Sequence, residues 1–97
     1  MKVRYTDTAA SEIRNIVSYI SAHNVSAADV VLAQIEHTIE LLAGHPMLGP
    51  IKYEGRVRMS PVRHYPQCLL FYPIEREEIV VLNLRHAARR RPWRDSD

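Results

Sequence analysis

The sequence predicts an α+β domain in the order β-α-α-β-β-β, and three observations carry that reading. Apolar residues recur at steps of three and four through most of the first 44 positions, which is the signature of helices with one buried face. A short alternating stretch precedes them. Apolar runs of strand length, separated by turn residues, fill the second half.

Each element follows from its residues. "KVRYT", Lys2 to Thr6, alternates, with Val3 and Tyr5 on one side, and is expected to be a strand. Asp7 or Thr8 is expected to cap a first helix whose apolar face is Ile13, Ile16, Val17 and Ile20, ending around His23 or Asn24. "SAAD", Ser26 to Asp29, reads as the start of a second helix, because the serine oxygen can accept from a free first-turn N–H. Its stripe is Ala28, Val31, Leu32, Ile35, Ile39 and Leu42. Gly44 is expected to close it in a left-handed conformation, and Pro46 prevents continuation. So short a connection makes the two helices an antiparallel hairpin.

"HPMLGPIKYEG" is turn-rich and separates helices from strands. "RVRMS", Arg56 to Ser60, alternates, with the two arginines on one face and Val57 and Met59 on the other. "QCLLFYPI", Gln67 to Ile74, is apolar on both faces, as a central strand should be, and Pro73 makes pairing stop or become one-sided there. "EREE", Glu75 to Glu78, is the turn into the returning strand "IVVLNLR". The expected architecture is a three-stranded antiparallel meander, joined by the N-terminal strand, with the hairpin on one face. The opposite face is left open, with Arg56 and Arg58 on it and Arg85 near its far end.

Composition narrows the function classes. A chain of 97 residues makes one domain, residues 1–97, of ordinary globular composition. One cysteine, Cys68, excludes an internal disulfide framework and fits a reducing compartment. No apolar run approaches the ~18 residues of a membrane span. A cytoplasmic location is therefore expected. Residues 1–51 hold three basic against five acidic side chains, and residues 52–97 hold ten against six. The positive field thus belongs to the C-terminal half and favours an anionic partner, nucleic acid or acidic protein.

The candidate partner-binding residues are Arg56, Arg58, Arg63, Arg85, Arg89 and Arg90. RNA cleavage through the 2′-hydroxyl would need a base, an acid and cations over the phosphate. Arg85, His86 and Arg89 are the candidates if such a site exists. On the bland reading, His86 shares the helix-facing side with Val80, Leu82 and Leu84 and fixes the chain's exit by a hydrogen bond. His64 lies in a loop, and Cys68 is expected to be buried and inert. His23, His37 and His45 have no metal-site spacing, and no Gly-rich phosphate cradle is present, so no cofactor or metal is expected.

The element order, together with "HPMLGP", the strand pair "LLFYPI…EIVVLNL" and "HAAR" (His86 to Arg89), resembles the RelE/ParE superfamily of type II toxin–antitoxin modules. The likeness spans nearly the whole chain, and the long hairpin and "RHAAR" are more similar to the ParE, plasmid-stabilisation branch. The resemblance implies a cognate antitoxin with an acidic and apolar C-terminal segment. It also implies inhibition of DNA gyrase by binding, without catalysis. The alternatives it implies are a ribosome-dependent mRNA endonuclease of RelE type, or an inactive antitoxin-binding relative. The chain departs from the common pattern. Asn83 stands where arginine is usual, and Arg85 where an aliphatic residue is usual. Trp93 is the sole aromatic residue past the last strand, where RelE-type ribonucleases carry a tyrosine; their lysine pair is missing too, with Lys52 alone.

Overall fold

The computed structural model describes residues 1–53 and 56–86. Its elements are β1 (Lys2–Tyr5), α1 (Asp7–Ser21), α2 (Val25–Gly44), β2 (Ile51–Tyr53), β3 (Val57–Val62), β4 (Tyr65–Tyr72), β5 (Ile74–Glu75), β6 (Glu78–Val81) and β7 (Asn83–His86). The α+β order is as expected, with one addition: the short β2 lies in the segment expected to be loop. β2, β3, β4 and β7 form an antiparallel sheet in that order, and β1 joins β6 in parallel, with β5 on the far side of β6.

The two long strands expected in the second half are each broken in two, at matched places. Pro73 separates β4 from β5, and Leu82 separates β6 from β7. Proline has no N–H, so pairing at Pro73 is one-sided. Its carbonyl accepts from Val80 N at 3.1 Å, while Leu82 N donates to Phe71 O at 2.8 Å. These two bonds carry the hairpin through the bend. The bend lets Ile79, Val80 and Val81 all be buried, which straight alternation forbids.

Both helix starts lie earlier than their local sequence signals. Thr6, not Asp7 or Thr8, caps α1: its Oγ1 accepts from Ala9 N at 3.0 Å and donates to Leu82 O at 2.9 Å. The cap is chosen by a tertiary contact to the bend, and Asp7 falls in the first turn, where the helix dipole favours its charge. Asn24, not Ser26, caps α2, through Oδ1 to Ala27 N at 3.0 Å. Gly44 is simply the last residue of α2, and its φ lies outside the left-handed region. The helix stops at His45, whose N–H still bonds Leu41 O, because Pro46 follows.

The core is the expected stripes packed on the sheet. Ile16, Val31, Ile35, Ile39 and Leu42 meet Leu70, Tyr72, Ile79, Val81 and Leu84, and Cys68 is 1 % exposed. Burial pushes the Cys68 thiol up from its ordinary range. Thr38, a buried polar residue within α2, gives its hydroxyl hydrogen to Gln34 O at 2.8 Å and accepts from Arg63 N at 3.0 Å.

The β5–β6 turn rests on Arg76 and Glu77, both at positive φ (49° and 63°). Two non-glycine residues there match a type I′ hairpin turn sterically at a cost of about 1 kcal/mol or more each. Arg76→Asn with Glu77→Gly is therefore expected to stabilise the protein by about 1 kcal/mol, a rise in Tm of roughly 4–8 °C. Thermal unfolding followed by circular dichroism checks it.

Candidate functional site

Directly paired residues in a sheet share a face, so the register assigns every candidate. Cys68, Leu70 and Tyr72 on β4 are buried toward the helices. Their partners His86, Leu84 and Arg58 lie on that same side. Leu69 and Phe71 point the other way, with Met59, Pro61, Asn83 and Arg85 as partners. The open face is thus a row of apolar side chains, Met59, Leu69 and Phe71, each half-buried, with Asn83 and Arg85 along its β7 margin.

Arg58 is a correction. It was expected on the open face with Arg56, but the register reverses the faces of β3, leaving Val57 and Met59 open. The physical reason lies next to it. Nη1 of Arg58 donates to Gly49 O at 2.8 Å and reaches Met47 O at 3.4 Å. Buried Tyr72 completes the same arrangement, its hydroxyl donating to Pro46 O at 2.7 Å and accepting from Gly49 N at 3.0 Å. Burial raises the phenol's pKa, against the smaller lowering effects of Gly49 N–H and Arg58. Together these groups pin the 46–50 loop to the sheet end and fix Met47 and Leu48 in exposed positions.

The other candidates serve different elements. Arg63 follows β3 and approaches His37 on α2, Nη1 to Nε2 at 3.2 Å. Arg56 is exposed just before β3. Arg85 pairs with Glu12 of α1, Nε to Oε2 at 3.8 Å. Arg89 and Arg90 lie outside the described residues. The structure therefore gathers Arg85 with the apolar face, and ties Arg58 and Arg63 elsewhere. His86 is on the helix side, as the bland reading expected, so the consecutive Arg85 and His86 point to opposite faces of β7.

Glu12 was missed as a site residue. Its Oε1 accepts from Leu84 N at 2.9 Å and from Asn83 Nδ2 at 3.3 Å, while Oε2 faces Arg85. One carboxylate thus covers the outer edge of β7 and orients both residues on the open face's margin. Its partners are more than 70 positions away, and no local pattern signals that contact. Among the described residues, no group of three His, Cys, Asp or Glu side chains is placed to hold a metal ion, and no helix is long and apolar enough to cross a membrane.

The family model of the ParE toxin of type II toxin–antitoxin system, parDE, matches residues 3–91. The chain belongs to the ParE toxin family. Among solved structures, this ParE-family chain is similar to one in the chromosomal ParDE toxin–antitoxin system from P. aeruginosa. The TM-score is 0.77 and the identity 16%, with 89% of this chain and 95% of that chain covered. It is also similar to the isolated E. coli RelE toxin, with TM-score 0.67 and 12% identity over 98% of this chain and 93% of that chain. No curated protein matches it. In this ParE-family member, Glu12 holds both Asn83 and Arg85 on the margin of the open face.

Proposed function

We propose that the chain inhibits DNA gyrase by binding and is neutralised by a cognate antitoxin whose C-terminal segment is acidic and apolar. The single observation that carries the binding reading is the split of Arg85 and His86 across β7. Phosphate chemistry needs the cation and the proton carrier around one reacting atom. Here the open face offers apolar area and a guanidinium, which suits a peptide carrying carboxylates. Arg56, Arg89 and Arg90 extend the positive character of the second half and are assigned to the same partner, and a cytoplasmic location follows from the gyrase target.

Purified toxin added at micromolar concentration should block gyrase supercoiling and trap cleaved DNA, and added antitoxin should restore supercoiling. An unchanged topoisomer ladder with message cut on translating ribosomes would replace this reading with the ribonuclease one. Phe71→Asp on the open face should weaken antitoxin binding by at least about tenfold in calorimetry, since a charge would enter the apolar centre of the contact.

A further inference from the structure

Exposed apolar side chains scattered singly are ordinary, and a cluster of them on a firmly held backbone is not. Met47 is 74 % exposed, the most of any large apolar side chain among the described residues, with Leu48 at 58 % and Ile51 at 49 %. All three lie within residues 47–51 and form one apolar knob. The backbone beneath it is fixed from both ends. Leu48 N donates to His45 O at 3.1 Å, and Met59 N donates to Pro50 O at 3.0 Å. Between those bonds, Tyr72 holds the Pro46 carbonyl and Arg58 the Gly49 carbonyl, and the rings of Pro46 and Pro50 lock their own φ angles. Gly49 packs so closely on Met59 O and the Tyr72 hydroxyl that a Cβ has no room.

The strand register places the knob. Ile51 pairs with Arg58 and Arg58 with Tyr72, so these three share the helix-facing side at the end of the sheet. Met59 and Phe71 pair with each other on the opposite side. An antitoxin segment lying on the open face therefore leaves the knob uncovered. The charge around it has one sign. From Leu41 to Ile74 the sequence holds Lys52, Arg56, Arg58 and Arg63 against a single acid, Glu54. Arg58 is turned to the Gly49 carbonyl, while Lys52 and Arg56 are exposed.

We infer that the knob of Met47, Leu48 and Ile51 enters an apolar pocket, rimmed by carboxylates, on the protein that this chain inhibits. The inference rests on the proposed reading of the chain as a toxin that acts by binding. A preformed apolar anchor docks without first ordering its loop, and a methionine side chain adapts to an irregular pocket. Lys52 and Arg56 meet the carboxylates of the rim, where charge sets partner choice and approach rate more than affinity. Nucleic acid fits poorly. A phosphate backbone asks for donors, yet Pro46 and Pro50 have no N–H, and the N–H groups of Leu48 and Gly49 are bonded within the protein. A second copy of this chain fits poorly as well, because two knobs in contact set the exposed Lys52 and Arg56 of one copy against those of the other.

The test compares the full parent chain with two double variants, Met47→Gln with Leu48→Gln and Met47→Lys with Leu48→Lys. Both side chains are exposed, so each variant should melt within about 4 °C of the parent. In a gyrase supercoiling assay, the toxin concentration giving half inhibition should rise at least about tenfold for both variants. Growth arrest on expression without antitoxin should be lost, while antitoxin affinity stays within about twofold of the parent's. A lysine variant as potent as the parent would overturn the inference in favour of a phosphate surface. Antitoxin affinity falling in parallel would reassign the knob to the antitoxin, and parent self-association that the variants lack would reassign it to a second copy. A parent chain that arrests growth but spares gyrase defeats the gyrase reading alone, and growth then reports on the knob against the actual target. Variants that arrest growth as the parent does defeat the inference alone, and a parent that spares both gyrase and growth defeats the two together.

Discussion

Gly49→Ala is expected to destabilise the protein by about 3 kcal/mol, enough to lower Tm by more than about 10 °C. A Cβ at this position would lie 2.6 Å from Met59 O and 2.7 Å from the Tyr72 hydroxyl. Neither neighbour can yield cheaply. Met59 O belongs to β3, and the Tyr72 ring is fully buried. Relief means moving the 46–50 loop, which breaks the bonds from Gly49 N and to Pro46 O and strands a buried phenol. Tyr72→Phe removes the same two bonds without adding volume and is expected to cost about 2 kcal/mol. The double variant should cost less than the sum, because both changes dismantle one network. Urea unfolding of the three variants measures this, and strict additivity would mean that the loop is held by something else.

Glu12→Ala is expected to cost about 2 kcal/mol and to open the β7 edge. The alanine leaves Leu84 N and Asn83 Nδ2 without their acceptor. Most of the loss comes from those bonds. The Arg85 contact is 3.8 Å long with side chains 39 % and 26 % exposed, so water and salt screen it to under about 1 kcal/mol. Glu12→Gln separates the two contributions, since its carbonyl still accepts from Leu84 N while the charge is gone. It should recover more than half of the stability lost in Glu12→Ala. Hydrogen exchange at Leu84 should be fast in the alanine variant and near the parent rate in the glutamine one; equal rates in all three would show that Glu12 does not cover this edge. An uncovered strand edge is also a template for pairing between molecules, so the alanine variant is expected to aggregate at lower concentration.

Helices and core were legible because their information is periodic and local. The spacing of Ile13, Ile16, Val31, Ile35, Ile39 and Leu42 defines two buried stripes whatever the sheet does. The capping residues were less legible. Several hydroxyl and amide side chains stand near each helix start, and the choice of Thr6 depends on Leu82 O across the molecule. The faces of β3 were misassigned for a related reason. Alternation sets Arg58 opposite Val57 and Met59, but only pairing to Tyr72 shows which face is which. A half-buried arginine bonded to loop carbonyls looks, in sequence, like a solvated one. Glu12 was invisible because a carboxylate that caps a distant strand leaves no local pattern.

The parallel pairing of β1 with β6 joins residues far apart along the chain. Lys2 aligns with Glu78 and Tyr5 with Val81, so closing that contact brings together positions some 76 residues apart. Such long-range closure is slow, and it must wait until Val81 has left the exit tunnel. During synthesis the helical hairpin can form early while its sheet is still missing. A nascent chain thus carries the α1–α2 hairpin without its sheet until residues 78–81 have emerged.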